Sequence, residues 1–497
     1  MKKLLSATLA ALIGLSSASV LAVNAAEAPG FVMADSDGDG VMSVQDATLI
    51  QKYLVNLSDL ANKGLLASDV DGDGEVMIND ATHVQKLLVG LENPDSLPSS
   101  ESEASIKEKG SRAMNDFSAK LLKSSVGESE NILVSPLSVM YALSMTANGA
   151  KGQTLDEMEK TLGLSNYEMN RFFQAYPSYI RYKSEGYYDD FSGIYHPAEQ
   201  LNIANSIWFN NSEGMPKVSK SFLQSSKDFY NADVFSAEFN DDALDQINGW
   251  VNEKTNQMIP SILDYVEPSA LMYLINAISF EAEWYEQYDL DYDLETKVFA
   301  NSDGTNQDAD FLYSSEYQYI SDGDRAEGFL KNYRDYNYTF AAILPKEGTS
   351  INDYVNSLTG ERIYDMLNNS SSADLRVWLP KFRVEYSDEL KDNLKSMGMK
   401  TPFENNADFG RMLANPSGIP LKVDDVLHKT FIELNESGTK AAAATVVYMN
   451  PGAAIDPNPP KPKYLYFTRP FVYMIINRDT KTPVFIGTID NLTQAMY

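Results

Sequence analysis

The stretch of sequence that decides the fold of this 497-residue chain is His428-Lys-Thr-Phe-Ile-Glu-Leu-Asn-Glu-Ser-Gly-Thr-Lys-Ala-Ala-Ala-Ala-Thr-Val-Val-Tyr-Met-Asn450. It joins a strand-like run to Gly438, four consecutive alanines and a β-branched run, and Pro451 follows at once. Gly438 can adopt backbone angles closed to other residues and so act as a pivot, whereas proline cannot donate to a sheet ladder. This order is typical of a segment with two states, an exposed loop and a strand inside a sheet.

The segment from Thr439 to Asn450 has the side-chain pattern of a strand that can enter a sheet. Alternate residues of a strand point to opposite faces. Lys440 lies on one face, and the other face is small or apolar and uncharged: Thr439, Ala441, Ala443, Thr445, Val447 and Met449. The segment would span about 40 Å as a strand, and its new backbone hydrogen bonds would release on the order of 10 kcal/mol. Taken alone, it could also be an ordinary strand followed by an alanine-rich helical turn.

Other segments carry motifs that occur together, and in this order, in one family. They are Asn131-Ile-Leu-Val-Ser-Pro-Leu-Ser138, Asn276-Ala-Ile-Ser-Phe-Glu-Ala-Glu-Trp284, Leu379-Pro-Lys-Phe-Arg383, Ala407-Asp-Phe409, Arg469-Pro-Phe-Val472 and Val484-Phe-Ile-Gly-Thr488. With these motifs the chain resembles the serpins over about residues 106–497. The resemblance implies an α+β fold with three β-sheets, about eight to nine helices and an exposed reactive loop.

By motif position, the resemblance also implies roles for individual residues. The reactive-loop hinge would comprise Glu436, Gly438, Thr439, Ala441, Ala442, Ala443 and Ala444. A polar cluster under the main sheet, able to hold two strands closed and then release them, would comprise Ser135, Ser138, Asn276 and His428. Lys381 and Glu436 would form an exposed ion pair beside Trp284 where the loop enters the sheet, and we expect this pair to act in gating rather than in bulk stability.

The implied mechanism is the trapping of a serine protease that attacks the loop. The protease forms an acyl-enzyme, and insertion of the cleaved loop drags it across the inhibitor and distorts its active site. The chemistry belongs to the target, so no enzymatic activity is expected. Counting from Glu436 as first residue, the seventeenth is Gly452, and the proline-rich continuation of the loop allows the cut to shift to Ala453 or Ala454. Small residues there favour subtilisin-like or elastase-like targets.

The N-terminal region contains a duplicated acidic loop. Asp35-Ser-Asp-Gly-Asp-Gly40 recurs 34 residues later as Asp69-Val-Asp-Gly-Asp-Gly74. Oxygen ligands at positions 1, 3, 5, 7, 9 and 12 with glycine at position 6 are typical of an EF-hand-like calcium loop. The candidate ligands for two Ca²⁺ ions are Asp35, Asp37, Asp39, Val41, Ser43 and Asp46 in the first loop, and Asp69, Asp71, Asp73, Glu75 and Asp80 in the second. Met77, at position 9 of the second loop, offers no oxygen.

An amphipathic helical segment follows each loop, and the two segments are near copies of each other. A calcium loop followed by one helix, duplicated over residues 29–92, resembles a dockerin. Dockerins bind cohesin modules on the scaffoldins of cellulosomes, so the resemblance implies a small all-α module with a cohesin partner. The positions of cohesin contact would be Val44, Gln45, Gln51, Lys52, Ile78, Asn79, Gln85 and Lys86. A solvated helix face is the alternative interpretation of the Gln-Lys pairs.

The remaining segments indicate an exported chain. Residues 1–25 have the pattern of a signal peptide, with two lysines, an apolar run and a small-residue cleavage region, and residues 93–105 form a polar linker. The formal charge of −30 argues against nucleic-acid and anionic-membrane binding. We therefore expect a secreted, cellulosome-attached protease inhibitor, monomeric before docking.

Two other functions stay open at this point. A non-inhibitory serpin-fold binding protein commonly carries bulky, charged or proline residues where this chain has Thr439 and the four alanines. A dockerin-bearing carbohydrate-active hydrolase would need paired carboxylates in a cleft, and the serpin motifs cover the region in which its catalytic domain would lie.

Overall fold

The structure is a computed structural model that describes residues 33–38, 41–55, 57, 58, 60, 64, 67–71, 76–93, 102–127, 130–180, 185–189, 194–415, 421–424, 426–439 and 461–495. The chain forms two compact units, residues 1–106 and 107–497. The expected signal peptide, residues 1–25, lies outside the described residues.

The first unit contains two described helices of equal length, α1 (Val44–Leu54) and α2 (Ile78–Leu88). Ser43 caps α1, and its hydroxyl accepts a hydrogen bond from the backbone of Gln45. The apolar faces of the helices pack on each other, and the buried residues they share include Ala47, Ile50, Ala81, Val84 and Leu87. Each acidic loop leads directly into one of these helices, as the repeated sequence predicts.

Nine further α-helices are described, eight of them wholly within the second unit, and the first begins earlier than expected, before the boundary between the units. Helix α3 starts at Glu103, so residues 103–105 of the predicted linker are helical. The reason is a local cap, because the backbone N–H of Ser105 donates to the Ser102 hydroxyl at 3.2 Å. The helices are α3 (Glu103–Ser125), α4 (Pro136–Ala147), α5 (Gly152–Leu162), α6 (Asn166–Ala175), α7 (Lys220–Tyr230), α8 (Asp241–Lys254), α9 (Ile351–Ser357), α10 (Gly360–Asn368) and α11 (Lys391–Ser396).

The strands form three sheets in the described part of the chain. They are β1 (Ile132–Val134), β2 (Tyr187–Asp189), β3 (Ile194–His196), β4 (Gln200–Asn210), β5 (Asp233–Ala237), β6 (Met272–Glu283), β7 (Leu294–Ala300), β8 (Asn306–Ser321), β9 (Ala326–Asn332), β10 (Tyr338–Pro345), β11 (Ser371–Pro380), β12 (Phe382–Glu389), β13 (Leu427–Leu434), β14 (Gly438–Thr439), β15 (Lys463–Tyr466), β16 (Phe471–Asn477) and β17 (Thr482–Ile489).

The sheet that contains the hinge has six strands in the order β12-β13-β14-β6-β4-β5. Strand β14 is only two residues long and lies between the ends of β13 and β6, antiparallel to both. A nine-stranded sheet runs β1-β17-β16-β10-β9-β8-β11-β15, with β7 paired to β8, and β2 and β3 form a hairpin. The two ends of the predicted reactive loop therefore belong to different sheets, β14 to the six-stranded one and β15 to the nine-stranded one.

The mixture of sheets and helices agrees with the predicted α+β class. Strands β10, β16 and β17 are buried at every position, so they form much of the core. Among the helices that the structure describes, none combines the length and the apolar character needed to cross a bilayer.

Candidate functional site

The start of the predicted hinge is already a strand in the six-stranded sheet. Gly438 pairs with Glu283 of β6, and Thr439 pairs with Ala282 of β6 and with Leu434 of β13. Thr439 is 1% exposed, so its side chain lies on the buried face, as the period-two pattern predicts for it. Gly438 and the first residue of the insertable segment, Thr439, are thus seated between the strands that would have to receive the rest.

Gly438 is required here for a different reason from the one expected. Its φ does not lie in the left-handed region that favours glycine in this state, and its role as a pivot between two states stays a prediction. A Cβ atom at this position would lie 2.1 Å from the carbonyl oxygen of Ala282 and 2.8 Å from the Cα of Glu283. Both are backbone atoms of β6, so no change of rotamer could relieve the clash. Glycine allows the close approach of the hinge to its neighbouring strand.

Two aromatic residues, Trp284 and Tyr333, contact the hinge and the turn that precedes it. The indole of Trp284 donates to the carbonyl of Asn435 at 2.9 Å, and the backbone N–H of Trp284 donates to the carbonyl of Ser437 at 2.9 Å. The Tyr333 ring stacks on Trp284 with centroids 4.6 Å apart and planes 11° apart. The Tyr333 hydroxyl lies 2.6 Å from the hydroxyl of Thr439. Trp284, predicted beside the loop, therefore contacts the turn that leads into it.

The Lys381–Glu436 ion pair is present but not exposed as expected. The two charged groups are 2.9 Å apart, and the side chains are 21% and 14% exposed. The turn that carries Glu436 is held by the segment that follows β6, since the backbone N–H of Tyr288 donates to the Glu436 carbonyl at 3.1 Å. Burial is the largest single influence on the pKa of Glu436 and raises it, but the hydrogen bond from Lys381, a backbone hydrogen bond and the Lys381 charge together outweigh burial, so the pKa lies below its usual value. The pair is therefore partly shielded from solvent. The low stabilisation energy that is typical of solvent-exposed ion pairs applies to it only in part.

The four residues expected in a polar cluster form one chain of hydrogen bonds around the N-terminus of α4. The Ser138 hydroxyl donates to the Asn276 side-chain oxygen on β6. The backbone N–H of Ser138 donates to the Ser135 hydroxyl at 3.2 Å, and the backbone N–H of Ser135 donates to Nε2 of His428 on β13 at 3.0 Å. The chain connects β6 to β13 through the end of a helix.

His428 acts in this chain as a neutral acceptor. Burial lowers its pKa to about 4, because the charged imidazolium would lose its hydration. With Nε2 unprotonated, the ring accepts the hydrogen bond from Ser135, and the proton lies on Nδ1. The Ser135 hydroxyl in turn donates to the carbonyl of Val484 on β17 at 2.7 Å, which links the cluster to the nine-stranded sheet.

The N-terminal unit places carboxylates together at each acidic loop. In the first loop, carboxylate oxygens of Asp35, Asp37 and Asp46 all lie within 4.8 Å of one another. In the second, those of Asp69, Asp71 and Asp80 do the same. Ser43, a candidate ligand, also caps α1 and hydrogen-bonds to Asp46 through its hydroxyl at 3.1 Å, and Val41 lies in the described part of the first loop. Asp39, Asp73 and Glu75 lie outside the described residues.

The carboxylates at position 12 fit a cation. Asp46 and Asp80 are buried, and Asp80 accepts hydrogen bonds from the backbones of Val70 at 2.7 Å and Met77 at 2.7 Å. Burial raises the pKa of Asp80 to about 6, and the hydrogen bonds only partly offset this. Buried carboxylates of like charge so close together are unfavourable unless a cation neutralises them. An all-oxygen set of this kind suits Ca²⁺, and the bound ion would hold each loop against its helix.

The expected cohesin contacts lie on the exposed and half-buried faces of α1 and α2. Val44 and Ile78, related by the 34-residue repeat, are 54% and 55% exposed. The two copies differ at the lysines, because Lys86 pairs with Glu92 at 2.8 Å, whereas the residue that corresponds to Glu92 in the first copy is Ser58. Gln45, Lys52, Asn79 and Gln85 are exposed, and Gln51 and Lys86 are half-buried.

Two groups near the hinge were not predicted. Lys331 on β9 forms a buried ion pair with Glu316 on β8 at 2.8 Å, and its ammonium lies 5.7 Å from the centre of the Trp284 ring. The carboxylate of Glu283 accepts from Arg334 and lies 2.7 Å from Nδ1 of His196. No motif in the sequence connects either group with the hinge. The only signal was a lysine, Lys331, directly after the apolar pair Phe329 and Leu330.

Several predicted residues of the loop lie outside the described residues. They are Ala441, Ala442, Ala443 and Ala444 of the hinge and Gly452, Ala453 and Ala454 of the scissile region.

Comparison with known proteins identifies both units. A family model described as serpin (serine protease inhibitor) matches residues 112–492, and one described as dockerin type I domain matches residues 33–89. Iripin-2 of Ixodes ricinus is 30% identical over 393 residues, which cover 77% of this chain and 93% of that protein. A leukocyte elastase inhibitor of Xenopus laevis is 30% identical over 371 residues, which cover 72% of this chain and 92% of that protein.

Solved structures give the same result for the fold. The native state of tengpin, a thermophilic serpin, is 40% identical with a TM-score of 0.69, and the match covers 78% of this chain and 95% of tengpin. Its latent state is 38% identical with a TM-score of 0.64, covering 77% of this chain and 97% of that one. The predicted serpin fold is thus confirmed. The chain belongs to the serpin family and carries an N-terminal dockerin type I domain.

Proposed function

We propose that this protein is a secreted, cellulosome-attached inhibitor that traps serine proteases by inserting its cleaved reactive loop into the six-stranded sheet. The observation that carries the proposal is the seating of Gly438 and Thr439 between β6 and β13. Insertion of the rest of the loop would extend a strand that has already begun.

The register of this strand supports the proposal. Thr439 lies opposite Ala282 on one side and Leu434 on the other. Six residues further along all three antiparallel strands, Thr445 would lie between Asn276 and His428. These are the two ends of the polar cluster, so the inserted strand would bring a hydroxyl to the place where the cluster must open. In the same register, Met449 would lie opposite Met272, the first residue of β6, so the length of β6 matches the insertable segment.

The relatives agree with an inhibitory role. One of them is named a leukocyte elastase inhibitor, and the small residues at Gly452, Ala453 and Ala454 suit an elastase-like or subtilisin-like protease. Tengpin has been solved in both a native and a latent state, so a similar chain adopts two arrangements. Serpins are mostly inhibitors rather than enzymes, and no enzymatic activity is proposed for this chain.

The test is to mix the protein with a subtilisin-type and an elastase-type protease. We expect an adduct that resists SDS and a released peptide whose N-terminus maps the scissile bond to residues 452–454. The cleaved protein should melt at a higher temperature than the intact one, because insertion would release on the order of 10 kcal/mol. Cleavage at Lys461 or Lys463 without an adduct, or an unchanged melting temperature, would contradict the mechanism.

The dockerin domain extends the proposal to the place where the protein acts. A signal peptide over residues 1–25 would export the chain, residues 29–92 would bind two Ca²⁺ ions, and the exposed faces around Val44 and Ile78 would dock onto a cohesin module of a scaffoldin. The serpin domain over 106–497 would then protect the enzyme complex against proteases. Gel filtration with a recombinant cohesin, with calcium and with a chelator, tests this part. A 1:1 complex that forms equally well in the chelator would contradict it.

A non-inhibitory binding protein of the same fold is the second candidate function. The same adduct assay separates it from an inhibitor, because it would be cleaved as a simple substrate or left intact. The buried, uncharged Thr439 favours the inhibitor.

A further inference from the structure

The hydroxyl pair between Tyr333, in the turn that follows β9, and Thr439 is the one side-chain hydrogen bond described for a residue of the insertable segment. The two oxygens are 2.6 Å apart, and both residues are buried, Tyr333 at 0% and Thr439 at 1% exposure. They are separated by 106 residues in sequence, and the pair forms here with Thr439 seated between β6 and β13.

The surroundings of Tyr333 fix its hydroxyl in place. One face of the ring stacks on Trp284, and its edge meets Phe280, with centroids 5.0 Å apart. The backbone N–H of Tyr333 donates to the carbonyl of Tyr338, and that of Tyr336 donates to the carbonyl of Tyr333. Burial raises the pKa of Tyr333 well above its usual range, so the hydroxyl stays protonated. It is a rigid, neutral hydrogen-bonding group aimed at the first inserted side chain.

We infer that Tyr333 is a positioning residue whose hydroxyl keeps Thr439 seated between β6 and β13 before the loop is cut. This inference rests on the proposed function and adds the group that decides how insertion begins. A protease attached to the loop is released by hydrolysis unless insertion is faster. When the hinge is already seated, the first step of loop insertion is complete before the protease cuts. The Tyr333–Thr439 pair therefore favours trapping of the protease over its release by hydrolysis.

Loss of the Tyr333 hydroxyl should reduce the trapping of protease and should also slow spontaneous insertion of the uncut loop. A merely structural role would not give this combination. Without the hydroxyl, the hinge leaves the sheet more often, so more protease escapes for each molecule trapped. The same loss slows spontaneous insertion of an uncut loop, which also starts from the seated hinge. A change that only loosened the core would accelerate spontaneous insertion instead.

The experiment compares Tyr333→Phe and Thr439→Val, each of which removes one hydroxyl and keeps the shape. Tyr473→Phe is the matched control, since Tyr473 is fully buried and its hydroxyl donates to the carbonyl of Ile132 at 3.3 Å. The stoichiometry of inhibition is measured with subtilisin as the protease, and hydrogen exchange is followed in the peptide that covers residues 435–439 of the intact protein. Conversion of the uncut protein to a form that no longer inhibits is followed at a raised temperature.

We expect Tyr333→Phe to raise both the stoichiometry and the exchange rate roughly two- to tenfold, the range of one net hydrogen bond. Thr439→Val should act similarly, the double variant should add nothing, and Tyr473→Phe should leave both quantities unchanged. Effects that add in the double variant, or a Tyr333→Phe variant that matches Tyr473→Phe, would overturn the inference. If the wild-type protein forms no adduct with subtilisin, the proposed function fails, while the exchange measurement still decides the role of Tyr333.

Discussion

Replacement of Gly438 by alanine is the sharpest test of the seated hinge. The new Cβ would lie 2.1 Å from the Ala282 oxygen and 2.8 Å from the Glu283 Cα, both of them backbone atoms of a central strand. The hinge would have to leave its position, because β6 pairs with β4 along most of its length and cannot retreat. We expect Gly438→Ala to fold but to hold residues 438 and 439 outside the sheet.

The magnitude follows from the contacts that would be lost. These are the backbone pairing of Thr439 with β6 and β13, the hydroxyl bond to Tyr333, and the bond from the Asn435 N–H to the Gly438 carbonyl at 3.0 Å. At about 0.5–1.5 kcal/mol each, these four contacts amount to roughly 2–6 kcal/mol. If about 2 kcal/mol of this acts on the first step of insertion, insertion slows about thirtyfold relative to release of the protease. The variant should then behave mainly as a substrate.

The assay is the stoichiometry of inhibition with a subtilisin-type protease, together with the melting temperature before and after cleavage. The control is Gly249→Ala in α8, where a Cβ meets nothing within 4 Å and helix propensity favours alanine by about 1 kcal/mol. Gly249→Ala should inhibit like the wild type and be slightly more stable. A Gly438→Ala protein with wild-type stoichiometry and the same thermal gain on cleavage would refute the reasoning.

Three further changes test other parts of the molecule. Thr439→Arg should also turn the inhibitor into a substrate, because a guanidinium cannot be buried at a position that is 1% exposed; an undiminished yield of SDS-resistant adduct would argue against insertion. Calcium affinity of the second loop should fall as the pH drops through about 6, because calcium must then displace the proton of Asp80. The raised pKa of Asp80 stabilises the metal-free unit at low pH, and this stabilisation is lost as the pH rises through about 6. Calorimetry at pH 5.5 should detect a released proton on calcium binding, and an affinity that does not depend on pH would contradict this. Lys52→Ala should weaken cohesin binding more than Lys86→Ala, because Glu92 already neutralises Lys86; equal losses in dissociation constant would show that the two lysines are equivalent.

Local patterns predicted those parts of the site whose residues are close in sequence. The predicted calcium ligands that the structure describes lie within twelve residues of each other in each loop, so a fixed spacing specifies their geometry, and the carboxylates of Asp35, Asp37 and Asp46 do converge. The burial of Thr439 follows from an alternation that any strand obeys. The polar cluster spans far more of the chain, and only the resemblance to a known family connected Ser135 with His428.

Contacts across strands could not be read from such patterns. Tyr333, 106 residues before Thr439, reaches it because the turn between β9 and β10 lies below the hinge, and nothing in its neighbourhood in the sequence marks that position. The ion pair of Lys331 with Glu316 depends on the register of two strands, which periodicity alone does not specify. The close approach at Gly438 could not be predicted for the same reason, since a glycine needed for close approach has the same sequence signal as one needed for an unusual φ.

The polar cluster alone cannot hold the loop out of the sheet at equilibrium. Its three hydrogen bonds from Asn276 to His428 contain no charged group, and at about 0.5–1.5 kcal/mol each they contribute roughly 2–4 kcal/mol. Insertion of the remaining strand would release on the order of 10 kcal/mol. In the proposed mechanism, what restrains the uncut loop is therefore its second attachment, because the chain returns at Lys463 as an edge strand of the other sheet. Cleavage would remove that restraint, and the polar cluster would then determine how fast the strands part rather than whether they do.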